Sequence, residues 1–188
     1  MLIRHAEKPD RAGILGISLT GHEDRRNLTV RGWQRAGALI ALFGWPEVRN
    51  VNPILAIPNV IYASRPTSSS VRPLHTVEPL AHRLSIGIDV SYGNEEEAAL
   101  ATSASSVDGA VLISWKRDGL PRLGQILAGN TTTCPSLWPE DRFDLVWVFH
   151  RAMDTAPWAF TQIPQLLLSG DRSDPIPIPI PSAPRSAD

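Results

Sequence analysis

Leu2-Ile3-Arg4-His5-Ala6-Glu7-Lys8 is the stretch from which the fold can be read. A short apolar run carries an Arg-His pair to its end and stops at Pro9, whose ring fixes φ and removes a backbone donor. A strand ending in a basic pair beside a loop makes an anion site, in which the guanidinium clamps oxygens and the imidazole can attack. An Arg-His dipeptide is common by chance. Its meaning comes from its place after an apolar strand and from a matching basic segment downstream.

Working outward, apolar runs alternate with helix-like segments, which predicts an α/β layer architecture. Strands are expected at Met1 to Arg4, Asn59 to Ser64, Gly109 to Trp115 and Asp144 to Phe149, with an edge strand at Pro157 to Ile163. Val60-Ile61-Tyr62-Ala63 and Ala110-Val111-Leu112-Ile113 are continuously apolar, as suits central strands covered on both faces. Thr29 is placed to cap a helix running to Phe43, with Trp33, Ala36, Ile40 and Phe43 on one stripe. A second helix is expected over Arg72 to Leu84, with Pro73 in its first turn and a kink or break at Pro79. Glu95 to Ala104 and Leu120 to Ala128 complete the helices, and residues 11 to 28 form a long, functional or mobile loop.

The second basic segment closes the second strand and opens a helix. Ala63-Ser64-Arg65-Pro66-Thr67 is followed by Arg72-Pro73-Leu74-His75-Thr76. Arg72 at a helix start, beside the C-terminal ends of parallel strands, sits where α/β sheets bind ligands and where helix N–H groups favour anions. Arg4 and Arg72 would meet on one anion if their strands are neighbours. By itself Arg72 could equally cap a surface helix.

Composition bounds the rest. The chain of 188 residues is 43% apolar and 20% charged, with a net charge of −1. That predicts one globular domain without a field favouring nucleic acid or acidic membrane. Only Lys8 and Lys116 are lysine among the basic residues, a bias that base composition explains as well as oxyanion chemistry does. Cys134 is the sole cysteine, so neither an internal disulfide nor a cysteine-rich metal site is open to the chain. His5, His22, His75, His82 and His150 lack metal-ligand spacing, so neither metal nor cofactor is expected. No apolar run approaches membrane-spanning length and no leader is recognisable, so the expected compartment is the cytoplasm. The domain is expected over residues 1–170, with a proline-rich, extended tail over 171–188. Oligomeric state is not legible.

With those residues in view, the chain resembles the histidine phosphatase superfamily, whose fold is phosphoglycerate-mutase-like. Leu2 to Pro9 resembles the motif carrying that family's nucleophile. Leu28-Thr29-Val30-Arg31-Gly32-Trp33-Gln34-Arg35-Ala36 resembles its Leu-Thr…Gly…Ala helix signature, and Tyr62 through Val77 its second arginine motif. Val111-Leu112-Ile113-Ser114-Trp115 stands where the strand leading to a second histidine belongs. Trp138-Pro139-Glu140-Asp141-Arg142-Phe143-Asp144 resembles a small bacterial and fungal subgroup. The likeness covers roughly residues 2 to 170, in order. It implies a three-layer α/β/α sandwich with a mostly parallel central sheet. It also implies a first strand longer than the three residues before Arg4, so either the true start differs or that strand is frayed.

The resemblance further implies phosphoryl transfer through His5, with Arg4 and Arg72 on the equatorial oxygens and no metal. Where the family has its second histidine, this chain reads Ser114-Trp115-Lys116-Arg117-Asp118. The histidine position falls on Lys116 or Arg117, depending on a one-residue register choice. The general acid would be Asp118 in one branch of the family, or one of Glu95, Glu96 and Glu97 in another. The expected partner is a small anionic or phosphorylated molecule. Three functions follow as expectations: a phosphatase-like hydrolase; a repurposed site performing dehydration, cyclisation or isomerisation with His5 as base; or an inactive binding protein using the proline-rich tail.

Overall fold

The computed structural model describes residues 1–10, 12–46, 52–151 and 156–178. Its strands are β1 (Leu2–Arg4), β2 (Val60–Ala63), β3 (Ile88–Asp89), β4 (Val111–Trp115), β5 (Leu145–His150) and β6 (Ala159–Pro164). The helices among the described residues are α1 (Val30–Phe43), α2 (Arg72–Leu84), α3 (Glu97–Ser105) and α4 (Leu120–Ala128). The six strands form one mixed sheet in the order β3-β2-β4-β1-β5-β6. β3, β2, β4 and β1 run parallel, while β5 is antiparallel to β1 and β6 antiparallel to β5.

Alternation along the strands divides the core between two faces. Ile3, Ile61, Leu112 and Val146 point into a cluster with Leu39 and Phe43 of α1 and Val77 and Leu80 of α2. Their neighbours Leu2, Tyr62, Ile113 and Trp147 enter a second cluster with Leu100 of α3 and Leu120 and Leu123 of α4. The central strands are therefore covered on both sides, as their unbroken apolar runs required. β1 is only three residues long but is paired to β4 on one side and β5 on the other. Double pairing and complete burial fix Arg4 despite the strand's brevity.

The helix starts follow local chemistry. Thr29 Oγ1 accepts from Gly32 N at 3.1 Å, capping α1 as expected. α2 runs through Pro79 to Leu84 and ends on Ser85 in the left-handed region. α3 begins two residues later than expected, because Glu95 has φ +68° and Glu96 closes a turn by accepting from Gly93 N at 2.7 Å. β3 was not anticipated.

Residues 171–178 have no regular structure, yet they are attached as far as Ile176. Asp171 pairs with Arg35 at 2.7 Å, and Arg172 N donates to Asp144 Oδ2 at 2.7 Å. Ile176 joins the second cluster, with its N–H and C=O both bonded to Gln162. Residues 179–188 of the expected tail lie outside the described residues.

Candidate functional site

β1 ends at the sheet's centre, so the residues that follow emerge between β4 and β5. His5 N donates to Trp115 O at 3.0 Å, extending the parallel ladder by one rung. His5 Nδ1 lies 2.8 Å from Ala6 O, and since a carbonyl only accepts, Nδ1 carries the proton. Nε2 is left with its lone pair. Burial pushes the imidazole pKa down to about 3; the Ala6 bond opposes this, and Arg4, Arg72 and Lys8 deepen it. His5 is thus neutral throughout the physiological range, with its tautomer set by its own main chain.

Arg4 is 1% exposed. Its Nη1 donates to three carbonyls of one loop: Pro139 O at 3.1 Å, Glu140 O at 2.6 Å and Arg142 O at 2.9 Å. The Phe143 ring lies over the guanidinium, 3.8 Å from Cζ to centroid, and stands 6.2 Å from the His5 ring. Burial, then repulsion from Arg117, lowers the Arg4 pKa to about 10, so it remains a cation at neutral pH.

Arg72 opens α2 and donates from Nη1 to Arg25 O at 2.9 Å. One turn on, Thr76 Oγ1 accepts from Ala6 N and donates to Arg72 O, each at 2.8 Å. A single hydroxyl therefore couples the residue after His5 to the start of the helix carrying Arg72. Burial lowers the Arg72 pKa, while Asp24 opposes the shift.

The pattern of unpaired atoms marks what this end of the sheet is built for. Five buried side-chain polar atoms among the described residues lack a partner in the protein. Four of them are Arg4 Nε, Arg72 Nε, Ser64 Oγ and Ser114 Oγ. Ser114 lies in β4 and Ser64 follows β2, with Ser64 N bonded to Ser114 O at 3.1 Å. Unpaired buried donors are costly and rare. Arg4 ends β1 and Arg72 opens α2, and both guanidinium charges act on the His5 imidazole, so their two unpaired Nε donors lie where an oxyanion at His5 could engage them.

Lys116 and Arg117 stand in different surroundings. Arg117 has Nε 2.7 Å from Asp118 Oδ1 and Nη1 3.6 Å from Glu140 Oε1, and its charge acts on Arg4. Lys116 O accepts from Gly119 N at 3.1 Å, while its ammonium has no hydrogen bond or ion pair among the described residues, and its pKa is lowered by burial and then by Arg72. Its ammonium therefore feels the same cation that feels His5. Asp118 is 82% exposed in its side chain and engaged with Arg117. Of the three glutamates, Glu95 is exposed, Glu96 pairs with Arg65 at 3.2 Å, and Glu97 is buried, accepting from the Trp115 indole at 3.1 Å.

Several participants were not anticipated. Glu7 anchors a buried ion cluster: Arg35 Nη2 lies 2.8 Å from Glu7 Oε1 and 2.7 Å from Asp171 Oδ1, and Arg31 adds a bond to Glu7 at 3.2 Å. The bonds to Asp171 and Glu7 overcome the lowering effect of burial and raise the Arg35 pKa. Gly32 allows α1 to approach this strand, because a Cβ there would sit 2.5 Å from Glu7 O. Lys8 pairs with Glu140 at 3.5 Å, tying the segment after His5 to the Arg4-binding loop. The Leu-Thr…Gly pattern around residue 29 held a signal for the close approach. Nothing in residue types revealed the Arg4 hydrogen bonds, which are all to carbonyls.

No family model matches this chain, and neither does any curated protein. No cluster of His, Cys, Asp or Glu among the described residues could hold a metal ion, and no helix there is long and apolar enough to cross a membrane. The arrangement that remains is one unprotonated imidazole nitrogen among cations and unpaired donors.

Proposed function

We propose that the chain is a histidine-phosphatase-like enzyme with the phosphoglycerate-mutase-like sandwich, cleaving a small phosphorylated metabolite through phospho-His5. The observation that carries this reading is the His5 imidazole, held neutral by burial with Nε2 free, beside two guanidinium groups whose Nε atoms have no protein partner. Nε2 attacks phosphorus in line, the P–O bond to the leaving group breaks, and Arg4 and Arg72 hold the equatorial oxygens. Lys116 takes the place of the second histidine as a donor to the transferring group. Water then attacks the phosphohistidine, releasing phosphate and restoring the imidazole. In such reactions positioning and charge stabilisation supply most of the acceleration.

The Lys116-Arg117 pair in the second histidine's place also favours non-phosphate acid/base chemistry on a carboxylate or enolate. Burial lowers the basicity of His5, which bears on proton removal and on nucleophilic attack alike, so experiment must separate the two. Turnover of para-nitrophenyl phosphate by the wild type and by His5→Ala, across pH 4 to 8, separates the readings. Loss of turnover in the variant, with a phosphohistidine trapped on the wild type, supports phosphoryl transfer. No turnover in a folded, phosphate-binding wild type refutes it in favour of the acid/base or binding-only reading.

A further inference from the structure

The segment before α1 carries apolar side chains that the core does not use. Ile14 and Leu15 are 55% and 46% exposed, and Val30, first residue of α1, is 62% exposed. These three, with Ile17 and Phe143, line one cleft of about 600 Å³. Exposed apolar residues scattered singly need no explanation, but a contiguous patch does. The volume falls in the range of small-molecule sites.

The cleft is built into the fold. Asp10 Oδ1 accepts from Ala12 N and Ile14 N at 3.0 and 3.1 Å, Ile17 N donates to Leu28 O at 2.8 Å, and Trp33 Nε1 donates to Ile17 O at 2.8 Å. These bonds fix the backbone that presents Ile14 and Leu15 outward.

Two residues join the cleft to the anion site. Phe143 lines the cleft and covers the Arg4 guanidinium. Lys8 lines the cleft, and its charge acts on the His5 imidazole. Of the carboxylates that line the cleft, Glu7 is held by Arg31 and Arg35 and Glu140 by Lys8 and Arg117, while Asp10 Oδ1 is engaged by the N–H groups of Ala12 and Ile14. An anionic head at His5 would thus continue over Phe143 into an apolar channel.

Resting on the phosphoryl-transfer reading, we propose that the substrate is a phosphomonoester with an apolar alkyl or aryl body, seated in the cleft formed by Ile14, Leu15, Ile17, Val30 and Phe143. The hydroxyls of a sugar phosphate would gain nothing from Ile14, Leu15, Ile17, Val30 and Phe143, whose side chains offer no hydrogen-bonding group.

Calorimetric titration with methyl, butyl and octyl phosphate tests the proposal on the wild type, Leu15→Asp and Val30→Asp. Burial of each added methylene predicts affinity rising about three- to fourfold until the cleft is filled. Both variants should lose that gain while binding methyl phosphate as the wild type does. Val30→Asp is the safer fold, since an acidic residue suits the first turn of a helix. Phosphates that bind with no dependence on chain length overturn the cleft and leave the phosphoryl reading standing. If methyl and inorganic phosphate fail to bind, that reading falls, and octanol decides the cleft alone. Octanol binding that Leu15→Asp abolishes retains it, and no octanol binding removes it.

Discussion

Replacing Arg35 by methionine tests the ion cluster on which the segment after His5 rests. Arg35 and Asp171 are each 2% exposed in their side chains, and Arg35 also holds Glu7 and Gln165. Removing one partner of a buried pair costs about 3–5 kcal/mol, because the other charge is stranded. Here both carboxylates keep some support. Arg31 reaches Glu7 at 3.2 Å and Asp171 at 3.5 Å, and Asp171 Oδ2 accepts from Leu167 N and Leu168 N. The lower end, about 3 kcal/mol, is therefore expected, equivalent to a Tm loss of roughly 6–12 °C for a domain of this size. The penalty must depend on pH. Burial acts to raise the Asp171 pKa, but Arg35 and the backbone donors overcome it and hold the group below its ordinary value. Its contribution is therefore complete above the unfolded pKa and lost as pH falls through the folded one. Without Arg35 the carboxyl accepts a proton more readily, so the difference between variant and wild type shrinks between pH 7 and about pH 4. Urea denaturation at both pH values measures this, and Arg35→Met/Asp171→Asn should regain part of the loss at pH 7. A penalty below about 1 kcal/mol at pH 7, or one unchanged at pH 4, would refute the reasoning.

Other expectations concern the site directly. The His5 ring should stay neutral down to pH 5, where about 99% is unprotonated for a pKa of about 3, so an NMR titration with an inflection near 6.5 would contradict the buried placement. Lys116→Met should lower para-nitrophenyl phosphate turnover about 100- to 1,000-fold, as for loss of one transition-state donor, while Arg117→Met changes it only a few-fold; the reverse order would reassign the donor. Thr76→Val keeps the side chain's shape but leaves the Ala6 N–H unpaired. A loss of about 1–3 kcal/mol in denaturation is expected, and an unchanged midpoint would show that Ala6 finds another acceptor.

The sequence disclosed elements wherever one physical signal dominated. The apolar runs at β2 and β4 and the Thr29 cap of α1 were legible because burial on two faces and a capping hydroxyl leave residue-type marks. β3 escaped because two residues carry no periodicity. Arg4, His5 and Arg72 were legible from their positions at element ends. The different surroundings of Lys116 and Arg117 were not, since the turn into residues 117–119 brings Arg117 to Asp118 and Glu140 while the Lys116 ammonium feels Arg72. Composition suggested a free tail from Asp171, because proline-rich sequence reads alike whether solvated or docked. One aspartate facing a buried arginine 136 positions earlier made the difference.

The grip on Arg4 has a consequence for how this protein could diverge. Pro139, Glu140 and Arg142 serve Arg4 with main-chain oxygens, which every amino acid possesses. Apart from Phe143, whose ring covers the guanidinium, the loop can exchange side chains without loss of a hydrogen bond to Arg4 while its path is kept. An insertion or deletion of one residue between 139 and 142 would instead break several bonds at once. Descendants of this chain could thus lose most of the Trp-Pro-Glu-Asp-Arg-Phe-Asp spelling, Phe143 apart, and still hold the arginine, provided the length of that span never changed.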